Sequence, residues 1–157
     1  MEKDACIKEF SLSVKDKKWK EEKKVMKESL KTLSDYEREA KDVFQRWVRL
    51  RDKGLPCISC DNGSPTDWSG GHYFPAGQYS GMIFDERNCH AQCNSHCNRY
   101  LSGNLVNYRM GLVNRYGEEF VKKLESDAIL RRDYKYTKTE LTDIKNKYLL
   151  KIKELSK

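Results

Sequence analysis

Two cysteine pairs, Cys57-x-x-Cys60 and Cys93-x-x-x-Cys97, constrain this chain more than any other feature. Tetrahedral zinc takes four soft or borderline ligands, and two short-spaced pairs let two turns each donate two thiolates to one ion. The second pair carries one residue more than the usual spacing, so His96 is an alternative to Cys97 as fourth ligand. The thiolate preference of structural sites favours Cys97. A redox-active dithiol at Cys57 and Cys60 is the rival reading, and the βαβ surroundings such a motif needs are missing. The pattern predicts a structural zinc ion.

The chemistry is concentrated around those pairs. All three histidines and five of the six cysteines lie between Cys57 and Asn104, so proton transfer and metal binding are confined to under a third of the chain. Apolar residues make up 38% of the 157 and charged ones 35%, which allows one modest core and much exposed helix. Residues 1–53 hold 16 Lys and Arg against 12 Asp and Glu, residues 54–97 hold 1 against 4, and residues 98–157 hold 14 against 8. Basic arms around a locally acidic centre suit a protein that grips phosphates while holding a divalent cation. Solvated helix faces explain the charge equally well. There is no apolar run of membrane-spanning length, and MEKDACIKEF has acids where a signal peptide needs positive charge. This points to a soluble cytoplasmic chain in which thiols stay reduced and serve as metal ligands rather than disulfides.

Along the chain, residues 1–14 show a weak alternation compatible with a short strand or irregular structure, and Cys6 stands alone as a free or buried thiol. Residues 15–31 are lysine-rich, with Trp19, Met26 and Leu30 as a thin helical stripe, either a solvated helix or a phosphate-contacting arm. Ser34 and Glu37 form a capping-box pattern ahead of Tyr36, Ala40, Val43, Phe44, Trp47 and Leu50 at helical spacing. Gly54 and Pro56 end that helix. Asn62-Gly63 favours a tight turn, and residues 66–92 read as two short strands joined near Pro75–Gly81. Cys89 is placed as a core residue, opposite in face to His90. Helix returns from Asn98 through Leu101, Leu105, Tyr108 and Leu112, breaks at Gly117, and resumes at Phe120, Val121 and Leu124. A last helix follows the capping box Thr137-x-x-Glu140. The fold class is α+β, with a basic N-terminal arm over residues 1–33, expected to be helical, and a second domain over residues 34–157.

Between and after the cysteine pairs lie Gly71-His72, Glu86-Arg87-Asn88-Cys89-His90 and Asn98. A histidine on the first strand of a zinc-clamped hairpin, an asparagine on its return and a polar residue opening the next helix resemble the ββα-metal (His-Me finger) nucleases, which include the HNH family and the phage endonuclease VII group. An imidazole near its ordinary pKa can take a proton from water at neutral pH. The wider set RDKGLPCISC (51–60), GHY (71–73), FDERNCHAQC (84–93) and Cys97-Asn98 followed by Ser102-Gly103-Asn104 is similar to the NinG/Rap family of lambdoid phages, over roughly residues 35–155.

The resemblance implies a zinc-stapled ββα core at about residues 55–110 within a nuclease domain, flanked by long N- and C-terminal helices. It implies His72 as general base, Asn88 as the central asparagine of the HNH-like motif, and Asn98 as a ligand of catalytic Mg²⁺, for which Mn²⁺ can substitute. His90, Asp85 and Glu86 are further candidates for the Mg²⁺ site, and His90 also for catalysis, because Gly71 stands where many relatives carry a ligand. The implied activity is cleavage of branched DNA, Holliday junctions and D-loops, in phage recombination in the host cytoplasm. A junction's two-fold symmetry suggests a homodimer. The alternatives are a zinc-ribbon-like DNA-binding module without catalysis, and an HNH nuclease of restriction or homing type.

Overall fold

The computed structural model describes the backbone of residues 2–156 and the side chains of residues 16–156. The chain divides into two units, Met1–Asp35 and Tyr36–Lys157. In the first, α1 (Glu2–Ser29) runs for 28 residues. Lysine and glutamate are good helix formers, and Lys18 pairs with Glu22 one turn on at 3.9 Å. The strand or irregular segment expected over residues 1–14 is replaced by helix, which satisfies its own backbone groups without a partner strand. Cys6 lies outside the residues whose side chains are described. Trp19, Met26 and Leu30 are exposed, so the thin stripe buries nothing.

The next helix, α2 (Leu33–Arg51), starts two residues earlier than the Ser34 box predicts. Thr32 caps it instead: its hydroxyl accepts from the Asp35 N–H at 3.3 Å, and the Asp35 carboxylate accepts from the Thr32 N–H at 2.9 Å. Within the second unit α2 buries Ala40, Phe44 and Trp47 of the predicted stripe together with Val48, which the stripe did not include, while Tyr36, Val43 and Leu50 are partly buried against them. They pack on Leu141, Tyr148 and Ile152 of α5 (Lys138–Leu155) and on Ile83, Phe84 and Cys89. Tyr148 is the hub, with its ring 4.8 Å from Phe44 and 4.9 Å from Trp47. The box at Thr137 and Glu140 caps α5 as its sequence indicates.

The sheet is one antiparallel hairpin, β1 (Trp68–His72) with β2 (Cys89–Cys93), in the register Trp68 opposite Cys93 and His72 opposite Cys89. The fold is therefore α+β. A second core forms from Ile58, Met82, Tyr108, Leu112, Val121, Leu124 and Ala128, which brings α3 (Leu105–Tyr116) and α4 (Glu118–Leu130) together. Gly111 of α3 lies so close to the first cysteine turn that an added Cβ would sit 1.8 Å from the Ile58 carbonyl oxygen. Leu101 and Leu105, expected on the buried side, are exposed. They flank a left-handed run at Ser102, Gly103 and Asn104 that redirects the chain before α3 begins. Among the described residues no helix is long and apolar enough to cross a membrane.

Candidate metal centre and active-site cleft

The cysteine cluster is assembled from both ends of the hairpin. On the first turn the Cys57 N–H donates to the Asn62 carbonyl at 2.9 Å and the Asp61 N–H to the Cys57 carbonyl at 3.0 Å. Asp61, not Asn62-Gly63, takes the left-handed conformation, because the turn wraps its own cysteines instead of joining two strands. Cys93 ends β2, and Cys97 lies in a π-helical turn, Asn94–Tyr100. That wider turn absorbs the extra residue of the second pair. The four Sγ atoms of Cys57, Cys60, Cys93 and Cys97 lie within 4.8 Å of one another, with Cys60 and Cys93 at 3.5 Å. Zinc–sulfur bonds of about 2.3 Å in a tetrahedron place sulfurs roughly 3.8 Å apart, so the donor set fits zinc. The Cys93 N–H points at Cys57 Sγ at 3.3 Å, and Asn104 Nδ2 at Cys97 Sγ at 3.6 Å. Burial pushes the Cys97 thiol up to about 12 and Cys93 higher still, a cost that a divalent cation removes. His96 is exposed, lies beside the Tyr100 ring and is outside the cluster, so Cys97 is the ligand the geometry offers.

His72 closes β1. Its Nε2 is 2.9 Å from the Ile83 carbonyl oxygen. A carbonyl only accepts, so Nε2 carries the proton and Nδ1 is left with a free lone pair. Burial holds the imidazole below its ordinary value against the Ile83 bond, and the positive charge of Lys41 adds to the depression. The ring borders a cavity of about 240 Å³ shared with Asn98, Gln45, Ser102 and Gly103. His72 and Asn98, predicted from opposite sides of the second cysteine pair, thus meet at one cleft. Gln45 was not predicted: it follows the core residue Phe44 on α2, and only its place beside buried positions signals it. Asn88 is fully buried and holds the loop between the strands. Its Oδ1 accepts from the Phe74 N–H at 2.7 Å, while Nδ2 donates to the Phe74 and Met82 carbonyls at 3.1 and 2.9 Å.

The sequence model described as "Bacteriophage Lambda NinG protein" matches residues 2–157. The chain belongs to the NinG family. It is 40% identical over 136 residues to "Protein ninG" of Escherichia phage 933W, covering 87% of this chain and 66% of that relative. To the proteins of the same name in Salmonella phage P22 and Escherichia phage lambda it is 39% and 38% identical over 132 residues, covering 84% of this chain and 63% of each relative. The chain thus spans about two thirds of the length of the curated relatives it matches. No solved structure matches it.

In this NinG-family chain the remaining candidates lie elsewhere. Opposed residues of an antiparallel pair share a face, so His72 lies with Cys89, and His90 with Gly71 on the other face. His90 is buried, its Nδ1 3.2 Å from the Tyr108 hydroxyl, and burial pushes it down to about 3. It does not border the cleft. Asp85 is bound by Arg87 and Arg131, at 2.8 and 3.0 Å, and those guanidiniums hold its carboxyl low despite burial. Glu86 accepts from the Tyr148 hydroxyl at 3.0 Å and pairs with Lys151. The structure does not bring these three to His72. Gly71 also has a physical reason: a Cβ there would lie 2.2 Å from Gln92 Oε1.

Proposed function

We propose that the His72 cleft hydrolyses phosphodiester bonds in branched DNA, making this a metal-dependent endonuclease of the ββα-metal (His-Me finger) kind that acts in phage recombination. One observation carries the reading. A histidine whose Nε2–H is fixed by a backbone carbonyl, and whose other nitrogen is therefore basic, shares its cleft with Asn98 on a hairpin clamped by four cysteines. His72 Nδ1 takes the proton of the attacking water, and burial keeps the imidazole neutral and ready to do so. The Ile83 carbonyl holds the ring in the productive tautomer and steadies the imidazolium once it forms. Asn88 acts at one remove by fixing the loop that carries Met82, next to Ile83.

The cleft offers the side-chain oxygens of Gln45, Asn98 and Ser102 and no carboxylate among the described residues. Mg²⁺ is ordinarily held by one or two carboxylates together with phosphates, so these neutral oxygens would hold it only with its own waters and the substrate phosphates, and Mn²⁺ has the same oxygen preference. When bound, the metal supplies charge neutralisation at the phosphate and the leaving oxygen. The basic segments before and after the centre supply sequence-independent phosphate contacts. A four-way junction needs two incisions related by a two-fold axis, which favours a homodimer.

The test incubates the protein with matched linear duplex, flap and four-way junction DNA, with and without Mg²⁺, beside His72→Ala. Incision confined to branched DNA, dependent on Mg²⁺ and lost in His72→Ala, is the expected result. Tight binding with no incision would make the chain a zinc-ribbon-like DNA-binding module. Sequence-preferring cuts in linear duplex would make it a nuclease of restriction or homing type.

A further inference from the structure

We propose that the aromatic groove beside the His72 cleft receives one unstacked nucleobase, next to the phosphate held at His72, an inference that rests on the nuclease reading above. The groove has a volume of about 750 Å³. Tyr73, Phe74 and Tyr79 form one wall, and Val106 and Met110 of α3 form the other.

Three observations select this occupant. The groove adjoins the cleft: Pro75, Ser102 and Leu105 line both. A strand whose phosphate lies at His72 therefore carries its adjoining base towards the groove. The wall is aromatic and preorganised, with the Phe74 ring 4.7 Å from Tyr73 and 4.8 Å from Tyr79, and with both backbone polar groups of Phe74 held by Asn88. Any base can stack on such rings whatever its sequence. Charge disfavours a second phosphate: Arg109, the cation lining the groove among the described residues, is paired with Glu125 and Glu118, both at 2.8 Å, and Arg132 lies over the Tyr79 ring rather than in the groove lining. An uncharged flat group fits better than an anion. An open branch point supplies such a base, because a base at the end of an unstacked arm lacks a stacking partner on one side. The apolar edge at Val106, 78% exposed, and Met110, 59% exposed, is then covered by the base.

The test is a coupling cycle in the His72→Ala background without added Mg²⁺. Four-way junctions labelled with fluorescein, each carrying one abasic site within about two nucleotides of the branch point, are titrated with the full chain and with added Phe74→Leu or Met110→Ala. Stacking of one base is worth on the order of tenfold in affinity. One abasic position should weaken binding by about that factor, and the penalty should vanish in both variants, since side chain and base lose the same contact. Zinc content and thermal melting check the fold, and the exposed Met110 site guards against misfolding of Phe74→Leu. If no abasic position costs affinity, or the cost persists in both variants, the proposal is overturned. It is equally overturned if Met110→Ala shifts the sedimentation of the free protein from dimer to monomer with the abasic penalty intact, because the groove is then filled by a second copy. Mg²⁺-dependent incision by the wild type is scored separately. Incision without coupling sinks this inference alone, and coupling without incision sinks the nuclease reading alone.

Discussion

Asp52 fastens the end of α2 to β2, and its removal should be strongly destabilising. The carboxylate is 3% exposed. It accepts from Arg51 Nε at 2.6 Å, Arg51 Nη2 at 2.9 Å and the Ala91 N–H at 2.8 Å. Arg51 in turn donates to the Glu86 and Cys89 carbonyls at 3.0 and 2.8 Å. Asp52→Ala takes away the guanidinium's carboxylate, leaving it the Glu86 and Cys89 carbonyls, and leaves the Ala91 N–H without this acceptor. Breaking a fully buried pair costs about 3–5 kcal/mol, and with Arg51 24% exposed the loss lies at the low end of that range, still a sizeable part of the stability of a typical domain. With a urea slope of about 2 kcal/mol/M the midpoint should fall by roughly 1.5 M. The assay is urea unfolding followed by tryptophan fluorescence with zinc present. The pH dependence gives a second check. Burial pushes the Asp52 carboxyl up, but Arg51 and the Ala91 N–H outweigh it and hold it below 3.8. Its contribution is therefore complete above the unfolded value of about 3.9 and lost as pH falls through the lower folded value. The gap between wild type and variant should narrow in acid. A midpoint shift below about 0.5 M at neutral pH would refute the reasoning.

Purified protein should carry about one zinc per chain by metal analysis, Cys57→Ser should lose it together with the fold, and His96→Ala should keep it. The rate of DNA incision should rise with pH through a midpoint below 6.5 and stay flat to about pH 8, since burial and the nearby Lys41 disfavour the protonated imidazole; a midpoint above 6.5 in single-turnover rates would contradict His72 as the base. Gly71→Ala drives a methyl into Gln92 and should cost about 1–3 kcal/mol in thermal melts, with a smaller cost in the Gln92→Ala background, where the colliding amide is gone.

What could be read from the sequence was what depends on spacing. The cysteine quartet, the α2 positions Ala40, Phe44 and Trp47 and the Thr137 cap are local patterns, and the structure keeps them. His72 and Asn98, singled out through the resemblance, line one cleft. What spacing could not supply was strand register. Which of His72 and His90 faces the cleft follows from His72 standing opposite Cys89, a pairing between segments whose contact is long-range. Gln45 reaches the cleft through helix packing on the hairpin, which no local pattern encodes. The N-terminal segment misled for a different reason: an alternation of apolar residues has force only where a partner strand exists, and α1 is helical without one.

The cysteine cluster joins the chain before β1 to the chain after β2, so it also acts as a topological clip. Closing a loop of 33 residues between Cys60 and Cys93 removes denatured-state freedom worth on the order of 4 kcal/mol by the loop-entropy argument used for covalent cross-links. A metal bound by the four cysteines would then tie the hairpin's open end more firmly than the two short strands do. A chain cut once by a protease between residues 73 and 88 should migrate as two fragments under denaturation, yet sediment as a single particle while zinc is bound, and separate when the metal is removed.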